Sequence, residues 1–244
     1  MFKNSHCERS ARRQRTKAFT LAEVLITLGI IGIVVAMTMP AVITKYHQKV
    51  TITQLKKAYS TLSQVMISAF PDGDFSQTEI RDSNTVQMKN WFLTNIKPYM
   101  KITKYCIDRA GCWNDGTYML SGSKYAWDQG NIGMGYNVIT FITSDGYFVN
   151  IDAFTENSYG RFGFNNDGQH YLIFFVDVNG AKRPNIVGKD VYVFAFAKDR
   201  GFITPGRDLE DSAVDSNCSN NGTGLYCTEK IIRSGWQTNK VNFW

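Results

Sequence analysis

The chain has 244 residues, 14% of them aromatic and 20% charged; that is enough for a membrane segment plus one folded domain of roughly 150–200 residues, with a core that needs no metal or heme and too little charge for a disordered chain. The net charge of +6 invites a nucleic-acid reading, but residues 1–18 alone carry +5 (Lys3, Arg9, Arg12, Arg13, Arg15 and Lys17 against Glu8), which leaves about +1 for the rest. A basic patch across a folded domain is not implied, and no nucleic-acid partner is expected.

After the basic segment 1–18 comes the run Phe19 to Ile43, FTLAEVLITLGIIGIVVAMTMPAVI. As a helix it extends about 37 Å, enough to span a bilayer with some tilt. Basic flanks stay cytoplasmic, so the bulk of the chain is expected to face outward, although Lys45, Lys49, Lys56 and Lys57 on the far side weaken the bias. Glu23 lies inside the apolar run, where a carboxylate costs roughly 2–3 kcal/mol and marks a functional residue by default. The plainer reading is that it reaches back to the interface.

The stretch Lys17-Ala18-Phe19-Thr20-Leu21-Ala22-Glu23 resembles the processing site of type IV prepilins and type II secretion pseudopilins. Those chains have a short basic leader, a small residue before the cut, then Phe or Met, then Glu as the fifth mature residue and an apolar helix. Ala18 stands where Gly is more usual. Pro40 falls where many pilins carry a helix-kinking proline, and Gly29 and Gly32 where many carry small residues. The likeness is close over about the first fifty residues and loose beyond them.

This resemblance implies that a prepilin peptidase cuts between Ala18 and Phe19 on the cytoplasmic side and methylates the new Phe19 amine. It also implies an inner-membrane assembly platform and other pilin or pseudopilin subunits as partners. Membrane lipid surrounds the helix before assembly. The chain would sit in a bacterial inner membrane by a single pass with its head outward, and later in a periplasmic or extracellular filament. An α-amine of pKa ~8 is mostly cationic at neutral pH. Glu23 can neutralise it, on its own helix or a neighbour's, which offsets two charges that are costly in an apolar bundle. The rivals are a secretory signal peptide cut near Val34-Val35-Ala36 and an uncut single-pass anchor. The first leaves the apolar run up to Ile43 and Glu23 unexplained.

Residues 44–70 continue as an amphipathic helix. Ile52, Leu55, Tyr59, Leu62, Met66 and Ala69 recur at steps of three and four, and Pro71-Asp72-Gly73 ends the pattern. The head, 71–244, is predicted to hold a second helix from about Val86 to Tyr99, with Met88, Trp91, Phe92, Asn95, Ile96 and Tyr99 near one face. Strands follow late: Val138 to Thr143 and Tyr147 to Ala153 around a Ser144-Asp145-Gly146 turn, then Tyr171 to Val178 and Val191 to Ala197. Helix first and strands after predicts an α+β fold, a long N-terminal helix packed on an antiparallel sheet of three to four strands, which matches the fold of pilins.

Cys106 and Cys112 form one close pair, Cys218 and Cys227 another; neither spacing is CxxC and no His is near, so two small disulfide loops in an oxidising compartment are favoured over zinc or redox chemistry. Four cysteines allow three pairings. Asp177, Asn179 and Asp190 are candidate oxygen ligands for Ca²⁺; the spacing is not that of an EF-hand, and the plain reading is an Asn-Gly turn with Asp side chains on backbone groups. Major pseudopilins bind calcium in a C-terminal loop, which the resemblance carries to these residues. Asn165-Asn166-Asp167-Gly168 reads as a turn. His6, His47 and His170 are too scattered for a site, and no GxSxG, Ser-x-x-Lys, Walker or GxGxxG pattern appears. Trp91, Trp113, Trp127, Trp236 and Trp244 suit core packing better than stacking on sugars or bases. The expected function is therefore structural rather than enzymatic: a filament subunit, with a minor tip pseudopilin favoured somewhat by the size of the head. A membrane-anchored module for polysaccharide or DNA and an anchored hydrolase are the alternatives from other classes.

Overall fold

The computed structural model describes residues 19–71, 85–154, 159–165, 168, 171–197 and 199–237. Ala18 and the basic leader, Asp72, Gly73, Asn166, Asp167, His170 and Trp244 lie outside the described residues. The chain divides into two compact units, Met1–Ile43 and Thr44–Trp244. In the first, helix α1 (Leu21–Ala69) begins, and every residue from 19 to 43 is exposed. The helix passes through Pro40, which has no N–H for the carbonyl four residues back.

In the second unit the remainder of α1 buries Ile52, Leu55, Ala58, Leu62, Val65 and Met66. Tyr59, predicted on this stripe, is partly buried and packs against the same core. Helix α2 (Thr85–Asn95) contributes Met88, Trp91 and Phe92, and a single 3₁₀ turn follows at Lys97–Tyr99. The predicted second helix is therefore shorter. Pro98 disfavours the α conformation at Lys97 and supplies no N–H of its own, so the α-helix stops before it.

Six strands form one antiparallel sheet in chain order: β1 (Ile102–Ile107), β2 (Ile139–Thr143), β3 (Phe148–Phe154), β4 (Tyr171–Asp177), β5 (Val191–Ala197) and β6 (Gly201–Ile203). The class is α+β, but the strand count corrects the expected three to four. β1 is an edge strand with one fully buried residue, Cys106, so its sequence shows no clear alternation; β6 is only three residues long. The β2–β3 turn closes with Gly146 at φ 85°, and the Gly146 N–H donates to Thr143 O at 3.0 Å. A side chain would be strained at that φ.

β4 and β5 are buried on both faces, which is why they read as unbroken apolar runs. Leu172, Phe174, Val176, Tyr192, Phe194 and Phe196 face the core shared with α1 and α2. Tyr171, Ile173, Phe175, Val191, Val193 and Ala195 face a second core with Trp113, Tyr125, Met134, Phe162 and Tyr226. The irregular segment between β1 and β2 therefore covers the second face of the sheet. Three short helices, α3 (Tyr159–Phe162), α4 (Asp211–Asn217) and α5 (Cys227–Arg233), complete the unit. α5 lies along β5, whose Val193 N–H donates to Thr228 Oγ1 at 3.2 Å.

Candidate functional site

Two places carry polar groups that the fold does not explain by packing alone. The first is the start of α1. Glu23 Oε2 accepts from the Thr20 N–H at 2.8 Å and from Thr20 Oγ1 at 3.0 Å, while the Glu23 N–H donates to Thr20 Oγ1 at 3.3 Å. This is a capping box, in which the third helical residue and the cap satisfy each other's orphan donors. The T-x-x-E spacing of Thr20 and Glu23 is its signal in the sequence. A carboxylate in the first turn also complements the positive end of the helix dipole. Oε1 takes no hydrogen bond among the described residues, and Phe19 next to the cap is 83% exposed. One carboxylate oxygen thus holds the helix start together while the other is left for a further donor.

The second place lies between β4 and β5, where the chain brings together Asp177, Asn179 and Asp190. Asp177 Oδ1 accepts from the N–H groups of Asn179 at 3.1 Å and Gly180 at 3.0 Å. Asp190 accepts from the N–H groups of Asn185 at 2.8 Å and Ile186 at 2.5 Å, and from Asn179 Nδ2 at 2.9 Å. Asn114, which sequence reasoning missed, enters from a loop 63 positions away. Its Nδ2 lies 2.7 Å from Asp177 Oδ2, 2.6 Å from the Gly180 carbonyl and 3.2 Å from Asn185 Oδ1. An amide nitrogen has two hydrogens, so one of these three oxygens is left over. Asn179 Oδ1 is buried without a hydrogen-bond partner. Burial, and then the charge of Asp190, push the Asp177 carboxyl up to about 8; burial also raises Asp190. Among the described residues no group of three or more His, Cys, Asp or Glu side chains is gathered, so this cluster is an oxygen set of two carboxylates, amides and one backbone carbonyl. Its donors are hard oxygens of the kind Ca²⁺ takes.

Residues 13–39 match the family described as the prokaryotic N-terminal methylation motif. The chain carries that motif, the hallmark of type IV pilins and pseudopilins. No curated protein and no solved structure matches the chain significantly. The methylation motif includes Phe19, Thr20, Glu23 and the apolar helix, and so coincides with the capping box described above. It supports a pilin-like or pseudopilin subunit and anchoring of the chain in a membrane. By length and composition α1 is long and apolar enough to cross one.

The structure joins Cys106 to Cys112 and Cys218 to Cys227, with Cα atoms 5.9 and 4.9 Å apart. The second bridge ties the end of α4 to the start of α5, two helices that the sequence reading did not foresee. Around them Arg233 gathers the carbonyls of Gly206, Arg207 and Leu209 at 3.0–3.1 Å and pairs with Glu229 and Asp211. Thr204 Oγ1 donates to Glu229. One arginine therefore ties an otherwise irregular segment together, its Nη2 lying among three carbonyls and its other nitrogens on two carboxylates.

Proposed function

We propose that the chain is a structural subunit of a type IV pilus-like or type II secretion pseudopilus filament. It is inserted with its head outward, cut between Ala18 and Phe19 by a prepilin peptidase, methylated at Phe19 and assembled through its apolar helix. The observation that carries this reading is the methylation motif at residues 13–39, leading into a helix whose residues 21–43 are all exposed. An apolar surface of that extent requires lipid or like helices around it. Glu23, with one oxygen engaged by Thr20, offers the other to the Phe19 ammonium of its own or a neighbouring chain.

Mass spectrometry of the mature protein tests the processing, with N-methyl-Phe19 expected at the N-terminus and full-length precursor accumulating when Ala18 is replaced by a bulky residue. Mature chain beginning at Phe19 in that variant would show that a small residue at 18 is not required, and a wild-type mature N-terminus at any other residue would refute the cleavage position. Glu23→Ala is expected to insert and be cut, yet assemble poorly or lose methylation. Normal filament yield with normal methylation would remove the pairing role and leave the cleavage site untouched.

A second reading concerns the head, where Asp177, Asn179 and Asp190, with Asn114, Asn185 and the Gly180 carbonyl, bind Ca²⁺. Three oxygens crowding one amide nitrogen favour it. Addition of Ca²⁺ to the EDTA-treated full chain is expected to raise the melting temperature, Mg²⁺ to do so far less, and Asp177→Asn to abolish the effect. Equal melting with and without Ca²⁺ would dismiss it.

A further inference from the structure

The small net charge outside the leader hides a separation. Residues 85–107 carry Lys89, Lys97, Lys101 and Lys104 and no acidic residue. They form α2, which holds Lys89, the 3₁₀ turn that begins at Lys97, and the edge strand β1, which holds Lys104 and follows Lys101; all four lysines are exposed. Lys97 Nζ lies 4.9 Å over the Tyr105 ring and Lys104 Nζ donates to the Gly111 carbonyl at 2.8 Å. Among the described residues none of the four is in an ion pair. At the opposite end of the strand order, after β6, residues 208–217 carry Asp208, Glu210, Asp211 and Asp215 and no basic residue. Arg200 holds Asp208. Glu210, Asp211 and Asp215 remain exposed on α4 and the residue before it. Asp211 also reaches Arg233 and Asp215 reaches Lys230, with their side chains 85% and 62% exposed. Five strand spacings, about 24 Å, separate the two edges.

We infer that the β1–α2 edge of one head is a docking surface for the α4 face of a second copy of this chain. The inference rests on the filament reading above and names the contact between neighbouring heads. Three physical points select this occupant. A lysine on an edge strand, here Lys104 with Lys101 just before the strand, opposes the addition of another strand, so a partner bearing its carboxylates on a helix fits better than a strand. The two surfaces are different patches of one molecule, so the contact is heterologous and propagates along a polymer instead of closing into a dimer. Exposed ion pairs are individually weak; their part is to set register and orientation between heads already concentrated by the apolar helices. Arg207 before the acidic stretch and Asp108 after β1 mark the limits of the two patches.

The test uses the full chain expressed with its assembly machinery, as a mixture of ¹⁴N- and ¹⁵N-labelled populations treated with a zero-length carbodiimide. Mixed-isotope cross-links from Lys97, Lys101 or Lys104 to Glu210, Asp211 or Asp215 are expected, in a ladder that extends beyond dimers and fades at high salt. Lys97→Glu, Lys101→Glu and Lys104→Glu together are expected to lower filament yield about tenfold. Combining them with Glu210→Lys and Asp215→Lys is expected to restore it. Asp215→Lys also removes the intrachain pair of Asp215 with Lys230, and an unchanged melting temperature controls for folding of each variant. Wild-type yield in the lysine variant, a defect that the combined reversal does not rescue, or cross-links that stop at dimers would each overturn the inference. N-methyl-Phe19 with filaments but without these cross-links overturns this contact alone, whereas absence of N-methyl-Phe19 overturns the filament reading as well.

Discussion

Residues 21–43 and residues 52–66 belong to one helix, yet they solve different problems. The first stretch is apolar on every side and exposed throughout; the second is apolar along one stripe, and that stripe is buried. A helix that is apolar all round finds its partners outside the chain, in lipid or in other helices, whereas a single stripe is satisfied by one neighbouring surface. Sequence changes in the two stretches are therefore expected to register in different assays: assembly for the first, folding for the second.

The largest expected effect sharpens this contrast. Phe194→Ala removes a fully buried ring that packs near Tyr59 and Phe202 and is expected to cost the head about 3–5 kcal/mol. Ile31→Ala, in the exposed run, is expected to leave that stability unchanged. Denaturant unfolding followed by tryptophan fluorescence in mild detergent reads both. A comparable loss from Ile31→Ala would break the division.

Next in size, replacing Cys218 and Cys227 together by Ser is expected to destabilise the head by about 2–3 kcal/mol, from the entropy of the short loop that the bridge closes. The same measurement under reducing conditions provides the comparison, and equal midpoints in both conditions would contradict it.

A pH effect follows from Asp177. In metal-free protein its carboxyl is pushed up to about 8 by burial and by the neighbouring Asp190, while in the unfolded chain it titrates near ~4. Between these values the folded state holds a proton that the unfolded state has released. Stability is therefore fully present at the acidic end and is lost as pH rises through about 8. Melting temperatures in EDTA are expected to fall along this range, and Asp177→Asn to flatten the fall. A melting temperature that rises across it would show that the carboxyl is not held protonated.

The smallest effect concerns the helix start. Thr20→Ala removes one half of the capping box and is expected to cost about 1 kcal/mol at the first turn, seen as faster amide exchange at residues 20–24 and no change in melting of the head. If Thr20→Ala impairs filaments as severely as Glu23→Ala, the cap and the pairing role are inseparable.

Much of this was legible beforehand because its cause is local. A run of apolar residues long enough to span a bilayer, a carboxylate within it, a stripe at steps of three and four and strands of β-branched and aromatic residues each follow from the properties of neighbouring side chains. The sequence by itself thus determined the exposed apolar helix, the amphipathic continuation, the four central strands and the α+β class. Tertiary structure decided what depends on distant residues. It recruited the weakly patterned residues 102–107 as a sheet edge and laid the segment between β1 and β2 across the second face of the sheet. It also packed α5 along β5, and it brought Asn114 to Asp177 across 63 positions. No local pattern encodes such contacts, because a buried polar group accepts whichever partner the packing of the whole sheet brings within hydrogen-bonding reach.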